Sequence, residues 1–195
     1  MGLRFPRGLD RLPAPGARKR FLLIGDPMEN LPGARAEINA IAEALSAGEE
    51  ARRIETIVLA GQDATGDKID DYLLSGEIDV IHYSGHAAFD KDRPELSALL
   101  LHGGEAFSAE RIHRFVEGRP LVFLNACRSG MTGNTAENVD YVLRSSAEGL
   151  ASAFVYGGAL GCVASMWPIY RQTSSRFRNC VLPQGAERRN DRRGA

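Results

Sequence analysis

Short apolar runs that stop at a polar or glycine-bearing turn recur along this chain, and between them apolar residues fall three and four apart. Phe21–Gly25 (FLLIG) runs into Asp26-Pro27, and Ile38, Ile41, Ala42 and Leu45 then share one face of a helix expected over Ala34–Leu45. Ile54–Leu59 is a second run. Thr65 stands as N-cap before a helix over 66–74, with Ile69, Leu73 and Leu74 on one face. Asp79–Tyr83 (DVIHY), Leu121–Asn125 (LVFLN) and Gly161–Met166 are three further strands, the last preceded by a helix over Glu148–Gly158. Gly103-Gly104 between Leu99–Leu101 and Ala106–Phe107 signals a β-hairpin, and Ser108 can cap a helix running to about Val116. Continuously apolar strands that alternate with helices have to be buried on both faces. The expected class is therefore α/β, in three layers, with a mainly parallel central sheet and helices on both faces.

Composition narrows the setting. No apolar run approaches the roughly 20 residues that span a bilayer, and the basic N-terminus has no apolar segment after it, so neither a membrane span nor a secretory signal is expected. Cys127, Cys162 and Cys180 are odd in number and far apart, which argues against a disulfide framework and for a reduced, cytoplasmic location. The net charge of −1 conceals an uneven distribution: residues 1–20 hold six Lys/Arg and one acid, and residues 171–195 hold seven Arg and two acids. The middle is accordingly acidic, which favours a basic substrate and no direct contact with nucleic acid. Prolines and glycines among the charges make 1–20 a leader or linker, 21–170 the folded domain and 171–195 a basic tail.

In parallel sheets of this kind, ligands bind beyond the carboxyl ends of the strands. The residues just past those ends are Asp26, Ser84-Gly85-His86, Ala126-Cys127-Arg128 and Trp167. A histidine and a cysteine leave two apolar strands at one edge, with Cys127 following His86 by 41 residues. Thiol nucleophiles need an adjacent imidazole to take the proton and return it to the leaving amine, and backbone N–H groups aimed at the developing oxyanion. His82 is four residues before His86 on the same strand, but no thiolate spacing accompanies it and no metal or other cofactor is expected. Cys162 reads as a core thiol, and His102 and His113 as surface residues.

The caspase signature is Q-A-C-[RQG]-G with a histidine about 50 residues upstream, and the chain offers its central A-C-R, Ala126-Cys127-Arg128, after a strand with His86 at a comparable distance. The chain more closely resembles a CHAT domain, the caspase-like peptidase domain often fused to tetratricopeptide repeats. The matching pieces, in order, are Ile24 to Pro27 with Leu31 to Ala34 and Glu37; Asp79 to His82 with Gly85-His86; Leu96-Ser97 with Leu99 to Leu101; Leu121 to Gly130; Gly149 to Ala151 and Gly157 to Ala159; and Val163 to Pro168. The resemblance implies a caspase-like sandwich and a cysteine endopeptidase working through a Cys127–His86 dyad without a third member. It also implies oxyanion donors at the backbone N–H groups of Cys127 and Ala87, where the family usually has glycine at the latter position. Asp26, Asn125, Arg128 and Trp167 are the candidates to line a substrate cleft, with Asp26 and the acidic middle favouring a basic residue before the scissile bond; the alternatives are a turn residue before Pro27 for Asp26, an exposed turn charge for Arg128 and a core or rim aromatic for Trp167. A regulatory protein partner, such as a tetratricopeptide-repeat protein, is expected on the same ground. The family normally continues past Trp167-Pro168 into a long helix, whereas this chain soon reaches Pro183, Gly185 and an arginine-rich end. The alternative is a catalytically inactive interaction or regulatory module.

Overall fold

The first strand, β1 (Lys19–Gly25), buries Leu22 and Ile24 on one side and Leu23 on the other, so it must be covered on both faces. A computed structural model of the chain describes residues 18–88, 90, 93, 96–128 and 149–164. The segments expected as a basic leader and tail fall outside those residues apart from 18–20, and so does Trp167. β1 pairs in parallel with β2 (Ile54–Ala60) and β3 (Val80–Ala88). Beyond β3 come β6 (Leu121–Arg128) and β7 (Gly161–Ala164), also parallel, and the hairpin β4 (Ala98–Leu100) and β5 (Ala106–Ser108) joins antiparallel. The described sheet has seven strands.

Among the described helices, α1 (Pro32–Ala47) lies alone on one face. Its Ile38, Ile41 and Leu45 form a small core with Leu23, the residues its 3–4 spacing selects. Gly25 lets α1 approach closely, because a Cβ there would stand 2.5–2.8 Å from the Ile38 side chain. Proline occupies the start of α1, where a missing N–H costs nothing. The other face carries α2 (Gly66–Ser75), α3 (Ala109–Phe115) and α4 (149–157), which build the larger core around Ile81, Tyr83, Ile112 and Phe154. Ser108 caps α3 as expected, its hydroxyl accepting from the Arg111 N–H. Thr65 does not use its side chain as a cap. Glu105, brought in by the hairpin, takes the Gly66 N–H at 2.9 Å instead.

Two strands outrun their apolar segments. β3 was expected to stop at Tyr83 and β6 at Asn125, but they continue to Ala88 and Arg128. The cause is a long-range pairing. β1 ends opposite Ser84, and β4 then takes its place, with Leu99 and Ala98 opposite Ala87 and Ala88. β6 follows β3 along its other side as far as Arg128 opposite Ala87.

Candidate active site

The extended ladder brings together the two residues singled out above. His86 of β3 and Cys127 of β6 are register partners in adjacent parallel strands. Such strands lie about 4.8 Å apart, so the backbones of the two residues are direct neighbours across the pair. For Cys127 and Arg128 the structure describes the backbone alone. Ala87 is not free of the ladder, as a turn residue would be, because it is flanked by Leu99 on one side and Arg128 on the other.

Alternation along β3 sorts its side chains. Ile81, Tyr83 and Ala87 enter the larger apolar core. His82 and Ser84 meet α1 instead, where they share the carboxylate of Glu37. His82 Nε2 donates to Glu37 Oε1 at 2.8 Å, Ser84 Oγ donates to Oε2 at 3.2 Å, and Asn125 Nδ2 of β6 donates to Oε2 at 2.7 Å. The His82 and Glu37 side chains are only 4% and 7% exposed, so this is a desolvated carboxylate held by three donors from two strands. Asn125 is therefore buried in the support of the sheet. Glu37 was quoted above only as part of a family resemblance. Its role had one usable signal, two polar residues at alternate positions of an apolar strand, which require a buried partner.

His86 stands at the end of the same polar row and is half-buried. Its Nε2 lies 2.7 Å from Asn30 Oδ1, in the turn between β1 and α1. An amide oxygen only accepts, so Nε2 carries the proton and a neutral ring presents its lone pair at Nδ1. That Nδ1 is buried and has no hydrogen-bond partner among the described residues. Burial lowers the imidazole pKa below its ordinary value, against the charge of Asp26, which acts to raise it. A ring in this state is an available base.

The turn that carries Asn30 is tightly built. Asp26 and Glu29 have positive φ angles of 46° and 56°, a region that aspartate tolerates better than most residues. The Asp26 N–H continues the ladder by donating to Ser84 O at 2.9 Å. Its carboxylate, in a residue only 6% exposed, accepts from the N–H groups of Asn30 at 2.9 Å and Leu31 at 2.7 Å. Asp26 thus spends its side chain inside the turn, ahead of the first turn of α1, where a negative charge is favourable. Nothing in the sequence distinguishes Asn30 from any exposed loop residue.

Gly85 has a steric purpose. A Cβ there would stand 2.6 Å from the Tyr83 hydroxyl oxygen and 2.8 Å from its ring carbon. That hydroxyl lies across the glycine and shares its proton between the carbonyls of His86, at 2.6 Å, and Leu100, at 2.9 Å. It ties the backbone of His86 to β4. Burial raises the Tyr83 pKa, so the phenol remains a donor. Cys162, partly buried against the larger core, has its thiol pushed up to about 12 by burial. It is a poor nucleophile at neutral pH. No described helix is long and apolar enough to cross a membrane.

Comparison with known proteins agrees with this architecture. The family model described as "CHAT domain" matches residues 6–181. Seven chains of known structure match the fold. One is the Arg-specific cysteine proteinase gingipain R, with a TM-score of 0.52 and 17% identity over 82% of this chain. The present chain corresponds to 35% of that gingipain chain, and the likeness is one of fold. No curated protein matches the sequence.

Proposed function

This chain belongs to the CHAT domain family, and on that premise we propose that it is a cysteine endopeptidase in which Cys127 attacks a protein substrate and His86 moves the proton. The observation that carries the proposal is the direct register of His86 with Cys127 on adjacent strands, together with a buried His86 Nδ1 that has no partner among the described residues. The caspase-like sandwich supplies the frame, with both residues at the carboxyl ends of parallel strands.

The proposed reaction follows from those positions. His86 Nδ1 takes the thiol proton as the Cys127 sulfur bonds to the scissile carbonyl carbon. The oxyanion that forms is held by the backbone N–H groups of Cys127 and Ala87. Because Ala87 lies in the ladder, this role requires the last rungs to release their N–H groups to substrate. The protonated ring then gives its Nδ1 proton to the leaving amine, and the C–N bond breaks. His86 next takes a proton from water as the oxygen bonds to the thioester carbon, and when the C–S bond breaks the ring returns that proton to the Cys127 sulfur as the acid product leaves.

The acidic middle of the chain supports a basic substrate. The Asp26 carboxylate contributes to that only through its field, since its hydrogen bonds are made within the turn. The test is cleavage of a peptide library by wild type and by Cys127→Ala. The expected result is complete loss of cleavage with an unchanged thermal midpoint, and undiminished cleavage by Cys127→Ala would remove the assignment.

A further inference from the structure

Resting on the dyad reading, we infer that Asn30 is a positioning residue for His86: its side-chain oxygen holds the Nε2–H, so that Nδ1 faces inward as the base. Three bonds on the page form a continuous support. The Asp26 N–H is fixed to Ser84 O on β3, two residues before His86. The Asp26 carboxylate fixes the Asn30 N–H, and Asn30 Oδ1 meets His86 Nε2 at 2.7 Å. The loop that starts at the end of β1 thus returns to hold a ring at the end of β3.

The chemistry asks for such a residue. A histidine with both nitrogens free populates two neutral tautomers, and only one of them leaves Nδ1 able to accept a proton. Rotation of the ring about its own bonds would also take Nδ1 out of the buried site. An acceptor fixed at Nε2 removes both freedoms. A neutral amide does so without the charge of a carboxylate, and so without stabilising the protonated ring in the resting state. Among the described residues, the charged group that acts on the ring is Asp26, from the turn below. Glu37 on α1 is engaged by His82, Ser84 and Asn125. The dyad expected from the sequence therefore becomes a chain of Cys127, His86 and Asn30, with Asp26 holding the last of them.

The test uses the full chain, labelled with 15N in histidine, and compares wild type with Asn30→Ala and Asn30→Asp. Ring 15N shifts of His86, assigned by loss of its signals in His86→Ala, report the tautomer. Iodoacetamide alkylation of Cys127, read by peptide mass mapping, reports the base. Wild type is expected to show the Nε2–H form. Asn30→Ala is expected to mix the two tautomers and slow alkylation by about 10- to 100-fold, the usual cost of a misplaced reacting group. Asn30→Asp, which keeps an acceptor at the same place, is expected to restore the Nε2–H form and raise the pH at which the ring protonates. An Asn30→Ala protein with the wild-type tautomer and alkylation rate overturns the inference, as does a wild-type ring in the Nδ1–H form. Failure of the dyad itself is seen separately, as alkylation that His86→Ala leaves unchanged, and the tautomer measurement still decides the role of Asn30 in that case.

Discussion

On one face of β3, Ile81, Tyr83 and Ala87 pack into an apolar core under α2 and α3. On the other, His82 and Ser84 point to a buried carboxylate on α1, and His86 continues the row to the site. Both faces lie in the same strand, and alternation of side chains is all that separates them. The apolar face holds the strand by area and needs no particular partner. The polar face holds it through Glu37, which joins α1 to β3 and β6 in one contact. A polar row in a core is costly wherever it is incompletely paired. Its presence here, leading to a half-buried imidazole with one nitrogen unpartnered among the described residues, suits the proposed role of His86 at the end of the strand.

The largest effect expected from breaking this contrast comes from Glu37→Ala. It strips three donors of their acceptor, His82 Nε2, Ser84 Oγ and Asn125 Nδ2, in a buried setting. Leaving a buried polar group without its partner typically costs about 1–3 kcal/mol for each group. Urea denaturation of wild type and variant would measure it, and a loss below about 1 kcal/mol would mean that α1 is held to the sheet by its apolar residues alone.

A smaller effect comes from the other face, at Gly85→Ala. The added methyl would meet the Tyr83 hydroxyl oxygen at 2.6 Å, within a buried ring that has two hydrogen bonds to keep. Overpacking of this kind costs about 1–3 kcal/mol. Moving Tyr83 also loosens the carbonyl of His86, so cleavage should fall by more than the loss of stability explains. Denaturation and peptide cleavage measured together check this, and a variant with normal stability and activity would show that the ring yields freely.

The sequence made the parallel strands legible, β1 to its end at Gly25, and left the ends of β3 and β6 obscure. Apolar runs such as LVFLN announce a buried strand, but β3 and β6 continue past them because a hairpin from residues 98–108 pairs with the end of β3. No local pattern encodes that pairing. His86 and Cys127 were visible because each follows an apolar run, and their direct register is a consequence of the longer strands. Glu37 was half visible, since polar residues at positions 82 and 84 of an apolar strand demand a partner, but the partner sits on a distant helix. Asn30 gave no signal, because its importance rests on a turn whose geometry Asp26 fixes with its own side chain. Asp26 was noticed for its place at the strand edge, and the structure engages its carboxylate with the amides of that turn.

The central claim is that His86 serves Cys127, and its most direct measurement is the alkylation rate of Cys127 against pH, by peptide mass mapping, in wild type and His86→Ala. The base must be neutral to work, and burial lowers its pKa below the ordinary 6.5, so assistance should persist on the acid side of neutrality. The account predicts fast modification of Cys127 well below the free-thiol pKa of about 8.5, falling only as His86 protonates. In His86→Ala the profile should move up to that of an unassisted thiol. Cys162, its thiol pushed up to about 12, should stay unmodified throughout. A slow reaction with the same ordinary profile in both proteins would contradict the account.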